Sequence, residues 1–181
     1  MKGKIKMKKI AFTVLVVLGV STHCFGQDEI SLRMELDILK PVIGKTRVSE
    51  EKAPDGQTTL HFLMKFETIH NGKSIKRYLE CNELKFQSDG LYYYDPDKKE
   101  IAFLELGSNG NFSIGNIKNE NGVVLKYGFT TFPDKKLKFR NTMEITSEGS
   151  LIDKFFSFEN GEWKAGHSRI YRPQQNVELR E

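Results

Sequence analysis

Cysteine is nearly absent from this chain: of 181 residues only Cys24 and Cys81 carry a thiol. A disulfide framework is thereby excluded, and stability must come from a packed core. The one long apolar run, Ile10 to Val20, has eleven residues, too few for a membrane-spanning helix, which needs about 20. Helical periodicity is confined to a single short stretch near the N-terminus, so βαβ crossovers and a parallel sheet are unsupported. The chain holds no His-Glu-x-x-His, Cys-x-x-Cys, phosphate loop, dinucleotide fingerprint or nucleophile elbow, which leaves metal-dependent, nucleotide-dependent and hydrolase chemistries without a signature. No catalytic residue is assigned. Tryptophan occurs once, as Trp163.

The segment 1–26 reads as a secretory signal peptide. Lys2, Lys4, Lys6, Lys8 and Lys9 form a basic start, Ile10 to Val20 an apolar centre, and Ser21 to Gly26 a short polar end with cleavage expected after Gly26. The protein is therefore expected to be exported, to the periplasm or the extracellular space. The formal charge of +4 is carried by this segment: its five charged residues are all lysines, and the remainder holds 23 basic against 24 acidic residues. A nucleic-acid partner loses its electrostatic support. Residues 27–172 read as one domain and 173–181 as a flexible C-terminal tail.

Within that domain Ser31 to Leu39 reads as a short helix, with Ser31 as N-cap, Leu32, Leu36 and Leu39 on one face, and Pro41 as the stop. Extended segments separated by turn signals follow. Pro54-Asp55-Gly56, Asn71-Gly72, Asp89-Gly90, Asp95-Pro96-Asp97, Asn109-Gly110, Asn121-Gly122, Pro133-Asp134, Glu148-Gly149 and Asn160-Gly161 supply the backbone freedom of tight hairpins. They predict ten strands at 45–51, 58–70, 73–87, 91–94, 100–106, 111–119, 123–132, 137–147, 151–159 and 162–172. Alternation places Leu60, Phe62, Met64 and Phe66 on one buried face, Leu125, Tyr127 and Phe129 on another, and Leu137, Phe139, Met143 and Ile145 on a third. The fold class is all-β: about ten antiparallel strands in an up-and-down barrel, since a long meander curls until its edges meet. A β-sandwich is the rival.

The last segment carries unusual chemistry. Strict alternation puts Trp163, Ala165, His167, Arg169 and Tyr171 on one face. An arginine on a buried face requires a carboxylate or an anionic ligand. Tyr92-Tyr93-Tyr94 places aromatics on both faces of its strand. His61 and His70 sit on opposite faces and cannot jointly hold an ion; Cys81 is expected to act as a small apolar residue.

Leu39-Lys-Pro-Val-Ile-Gly44, Asp89-Gly-Leu-Tyr-Tyr-Tyr-Asp95, Gly110-Asn-Phe-Ser-Ile-Gly115 and Gly161-Glu-Trp-Lys164 ahead of His167-Ser-Arg-Ile-Tyr-Arg172 resemble the calycin-like small β-barrels, and among them a family of secreted bacterial domains of unknown function. Where related calycins often have a Trp shortly after the glycine, this chain has Thr46-Arg47. The resemblance implies a barrel with the helix at one end and a ligand cavity inside. It is also similar to the nitrobindin-like haem barrels, which implies haem as a cofactor with His167 as axial ligand.

The expected function is that of a lipocalin-like binding protein for a small hydrophobic or amphipathic, largely apolar molecule. The candidate ligand-binding residues are Trp163, His167, Arg169, Tyr171, Phe62, Met64 and Tyr127. The alternatives are a haem barrel, a cavity enzyme using His167 for proton transfer, and a surface-interaction or inhibitor domain using hairpin loops, which a filled barrel with a contiguous exposed apolar patch would favour.

Overall fold

The protein is described by a computed structural model that covers residues 31–174; the expected signal segment and the end of the tail lie outside the described residues. A 3-10 helix, Met34–Val42, leads into ten strands. These are β1 (Thr46–Lys52), β2 (Thr59–Ile69), β3 (Ser74–Cys81), β4 (Phe86–Asp95) and β5 (Glu100–Gly107), then β6 (Phe112–Glu120), β7 (Val123–Thr131), β8 (Lys136–Ile145), β9 (Leu151–Glu159) and β10 (Glu162–Pro173). Every strand pairs antiparallel with its sequence neighbours, and β10 returns to β1, so the sheet closes into an up-and-down barrel. That closure is short: the β1–β10 register consists of Arg47 opposite Pro173 and Val48 opposite Arg172, extended by a bond from the Gln174 amide to the Thr46 carbonyl (3.0 Å). Antiparallel closure removes the exposed edges that a ten-stranded open sheet would leave.

The helix differs from expectation. Its start is set at Arg33, whose amide donates to the Gly72 carbonyl (3.0 Å), and Pro41 lies inside it. A short 3-10 run tolerates a proline near its end because few donors are needed there. Leu36, Leu39 and Val42 are buried and plug one end of the barrel against a core that includes Phe66, Ile75, Ile101 and Leu151. Each such side chain contributes about 1.5–3 kcal/mol by leaving water. Arg47, only 1 % exposed, fixes the plug: its guanidinium donates to the carbonyls of Val42 (2.8 Å), Pro41 (2.9 Å) and Gly149 (3.3 Å). It thereby satisfies carbonyls that the helix end would otherwise leave unpaired.

Two turn and facing expectations fail for identifiable reasons. Asp89-Gly90 is not a turn: the chain reverses at Asn82–Lys85, where the Lys85 amide bonds to the Asn82 carbonyl and Lys85 adopts φ 50°. Gly90 instead lies within β4, between Arg77 of β3 and Glu105 of β5. A Cβ there would come within 3.0 Å of Glu105 Cγ and 3.2 Å of the Tyr92 ring, so the glycine makes room inside the barrel. In β7 the expected faces are reversed. Lys126 points inward and is buried, while Tyr127 and Phe129 face outward, Phe129 being an exposed aromatic. Hydrophobicity alone assigned the wrong face, because the charge of Lys126 is neutralised inside.

Candidate functional site

β10 is bent by a bulge: Ala165 pairs with Phe156 and Ser168 with Lys154, so two residues of β10 oppose Phe155 alone. The extra residue inverts the alternation. His167, Arg169 and Tyr171 consequently point into the barrel, whereas Trp163 lies outside, edge-on to Phe158 (5.2 Å) and beneath the Arg140 guanidinium (4.7 Å). The expected single face of Trp163 with His167 is therefore divided in two. Tyr127, also expected to line the ligand, stands on the outer wall near Lys118 (5.5 Å).

The inward residues meet in a cavity of about 120 Å³. Met64, Leu79, Phe139, Met143 and Phe155 supply its apolar surface; Arg77, Glu105, Lys126, Asp153, His167 and Arg169 supply its charge. Of the expected ligand residues, Met64, His167, Arg169 and Tyr171 line the cavity together. Phe62 is buried immediately behind them, with the Arg169 guanidinium 3.7 Å above its ring. The helix closes the opposite end, and His167, whose side chain keeps 31 % exposure, lies towards the free end.

Two charge systems organise the lumen. In the first, Lys126 donates to both oxygens of Glu105 (2.8 and 2.9 Å), the Tyr92 hydroxyl donates to the same carboxylate, and Arg77 stands 3.3 Å from it. Burial opposes the Glu105 charge, but Arg77, Lys126 and the Tyr92 bond outweigh it and hold the carboxyl at about 2. Burial also pulls Lys126 down, with Glu105 acting against it. The Lys126 ammonium rests between the Phe103 and Phe139 rings (5.1 and 5.7 Å), which adds cation–π attraction. In the second system, Asn141 donates to Asp153 (2.7 Å) and His167 Nε2 lies 3.4 Å from it, the imidazole stacked on Phe155 at 5.3 Å. Burial opposes the Asp153 charge, yet His167, Lys126 and Asn141 keep its carboxyl below the ordinary range. Arg169 is held apart from both by a bidentate pair with Glu51 (2.7 and 3.0 Å).

Some polar capacity is left over. Tyr171 is wholly buried, and its hydroxyl makes no hydrogen bond of good geometry among the described residues, although the Arg169 guanidinium lies close to it. Arg77 is 7 % exposed and, among the described residues, has only the 3.3 Å contact with Glu105 for its five donors. Both line the cavity.

Sequence reasoning passed over Arg77, Glu105, Lys126 and Asp153. The signal was present for two of them: Arg77 shares the two-residue period of Ile75, Leu79 and Cys81, and Glu105 interrupts the otherwise apolar run Ile101 to Leu106. A charge at a buried period position marks an interior network. The arrangement does not fit a haem. The lumen is small against the 300–1,000 Å³ typical of drug-sized ligand sites (about that range), and His167 is turned to Asp153 and stacked on Phe155. Among the described residues no group of three or more candidate ligands could hold a metal ion. Cys81 is a buried free thiol.

A second cleft, about 410 Å³, separates the helix from the strand ends beside it; Ile38, Val42, Val124, Met143, Ile145 and Leu151 dominate its walls.

Fold and lumen define a class: a closed ten-stranded antiparallel β-barrel, compatible with the calycin-like fold, with a helix plug and a charged cavity. No protein-family model matches the chain, and no curated protein matches it significantly. Among the described residues no helix is long and apolar enough to cross a membrane.

Proposed function

We propose that the protein is a binding protein whose barrel lumen holds a small molecule with an anionic head and a short apolar body. The observation that carries this reading is the fully buried Tyr171 hydroxyl, which makes no hydrogen bond of good geometry, beside the under-bonded Arg77 in one cavity. An unpaired buried hydroxyl costs about 1–3 kcal/mol, and an oxyanion would accept from both groups at once. The five apolar lining residues suit a short hydrocarbon body, so the ligand is amphipathic rather than largely apolar. Export belongs to the same reading and rests on residues 1–26.

Thermal unfolding with short carboxylates from acetate to hexanoate, each compared with its amide, tests the proposal. A carboxylate at 100 times its Kd stabilises by about 2.7 kcal/mol, a rise of roughly 5–11 °C for a chain of this size. Tyr171→Phe should abolish the rise while leaving the fold intact. Equal responses to acid and amide, or none to either, would sink the reading. A second reading is favoured by the apolar walls of the helix-side cleft, which suit an uncharged apolar molecule. Val124→Trp would fill that cleft, and loss of a neutral ligand in this variant alone would identify it.

A further inference from the structure

We propose that the outer face of β5–β10 docks onto an anionic lipid bilayer. This site is separate from the lumen and does not depend on what the lumen binds. Cross-strand pairing builds one continuous outer row: Leu104 opposite Ile114, Ile114 opposite Phe129, Phe129 opposite Lys138, Lys138 opposite Phe158 and Phe158 opposite Trp163. A parallel row towards the free end sets Leu106 opposite Phe112. Leu106 is 55 %, Ile114 44 % and Phe129 40 % exposed, so the apolar part of the row is open to solvent. Scattered apolar residues need no explanation, but a contiguous patch of this kind marks an interaction site.

The charge on the same face leans cationic. Lys136, Lys138, Arg140 and Lys154 have no carboxylate partner among the described residues. Three of them cover aromatic rings instead: Lys136 over Phe129 (4.4 Å), Lys138 over Phe158 (5.2 Å) and Arg140 over Phe156 (4.8 Å). Of the acidic side chains nearby, Glu120 is bound to Lys118 (2.6 Å) and Glu162 to Lys164 (3.1 Å), while Glu159 accepts from the neutral Ser157 hydroxyl (2.8 Å) and keeps its charge at the strand end. Glu144 stands at the helix end, and Asp134 in the β7–β8 turn beside Lys135 and Lys136. The opposite wall is different, because Lys65 and Lys76 there are neutralised by Glu67 and Asp89.

A partner must therefore be anionic and must also receive aliphatic side chains. A nucleic acid would engage the lysines and could stack on the aromatic rings, but would leave Leu106 and Ile114 against water. The outer wall of a closed barrel is convex and offers no groove for a peptide. An acidic bilayer satisfies both demands: headgroup phosphates meet the cations, and the acyl boundary takes the leucine, isoleucine and phenylalanine side chains. Trp163 belongs at such a boundary, since its ring is apolar and its N–H can stay wet.

Trp163 is the only tryptophan in the chain, so its fluorescence reports contact by this face whatever other segments do. The experiment adds the full chain to vesicles of phosphatidylcholine alone or with phosphatidylglycerol, with and without brominated acyl chains. The expected result is a blue shift and bromolipid quenching with the anionic vesicles only, weakened at about 0.5 M salt, where screening shortens to a few ångströms. Lys136→Glu with Lys138→Glu should lower affinity by at least about 25-fold, fivefold per cation removed. Leu106→Ser with Ile114→Ser should remove the quenching, and circular dichroism confirms that both variants remain folded. The proposal is overturned if vesicle-bound protein keeps an unquenched Trp163, if neither variant changes the signal, or if a single-stranded oligonucleotide shifts Trp163 while vesicles do not.

Discussion

Replacing Glu105 by Gln is the sharpest probe of the lumen. One buried carboxylate serves Lys126, Arg77 and the Tyr92 hydroxyl, so the substitution strands two desolvated cations. Breaking a buried pair from one side costs about 3–5 kcal/mol, a large part of the roughly 5–15 kcal/mol that holds a domain together. Lys126→Met should cost far less, about 1 kcal/mol, because it removes a buried charge, keeps the stem and leaves Arg77 with Glu105. The double variant should then recover about 1–3 kcal/mol of the Glu105→Gln loss, the size expected of directly coupled residues. Acid supplies an independent reading of the same energy. Glu105 titrates at about 2 in the fold against 4.5 unperturbed, so its contribution is complete above about pH 4.5 and is lost as pH falls towards 2. That difference corresponds to about 3 kcal/mol, and the slope should flatten in Glu105→Gln. Urea unfolding at neutral and acid pH measures both quantities. A Glu105→Gln cost under about 1 kcal/mol, or one indifferent to the presence of Lys126, would refute the network as described.

Three further substitutions separate structural from binding roles. Gly90→Ala should destabilise by about 1–3 kcal/mol through overpacking against Glu105 and Tyr92, whereas Asp89→Ala next to it, exposed and paired only with Lys76, should stay within about 0.5 kcal/mol; denaturant midpoints distinguish them. Arg47→Ala strands the Pro41, Val42 and Gly149 carbonyls and should cost about 3 kcal/mol or more, visible as a lower Tm and faster amide exchange around the helix. Tyr171→Phe should leave the ligand-free barrel equally stable or about 1 kcal/mol more stable, because the hydroxyl it removes makes no hydrogen bond of good geometry among the described residues, and calorimetry measures the change.

The barrel was legible because its evidence is local and repeated. Eight of the nine turn signals mark real strand connections, every Asn-Gly pair among them reading out one reversal. Asp89-Gly90 misled because the same residue type serves two ends: glycine permits a tight turn, and it also leaves a hole that other side chains fill. Facing was harder. In β2, Leu60, Phe62, Met64 and Phe66 are inward as alternation demands. In β7 the aromatic positions are outward and the lysine inward, since only the closed barrel reveals that Glu105 of β5, one strand beyond its neighbour β6, awaits it. β10 hid its phase change because a bulge has no fixed spelling; Gly166 was the one hint. The lumen's apolar residues could thus be read from period, while its charges depend on pairings made between strands far apart in sequence.

The β1–β10 closure is the weak stave joint of this barrel. Two residue pairs and the Gln174 bond join the strands at one end, and beyond them the Arg169–Glu51 pair bridges the gap. Arg169 is thus at once a wall of the cavity and the clasp of the seam. A ligand that draws its guanidinium inward would loosen the clasp, and one that bridges Arg169 to Tyr171 would tighten it. A filled lumen would then be felt as a change in how often the hoop comes undone, set by the same side chain that lines the cavity.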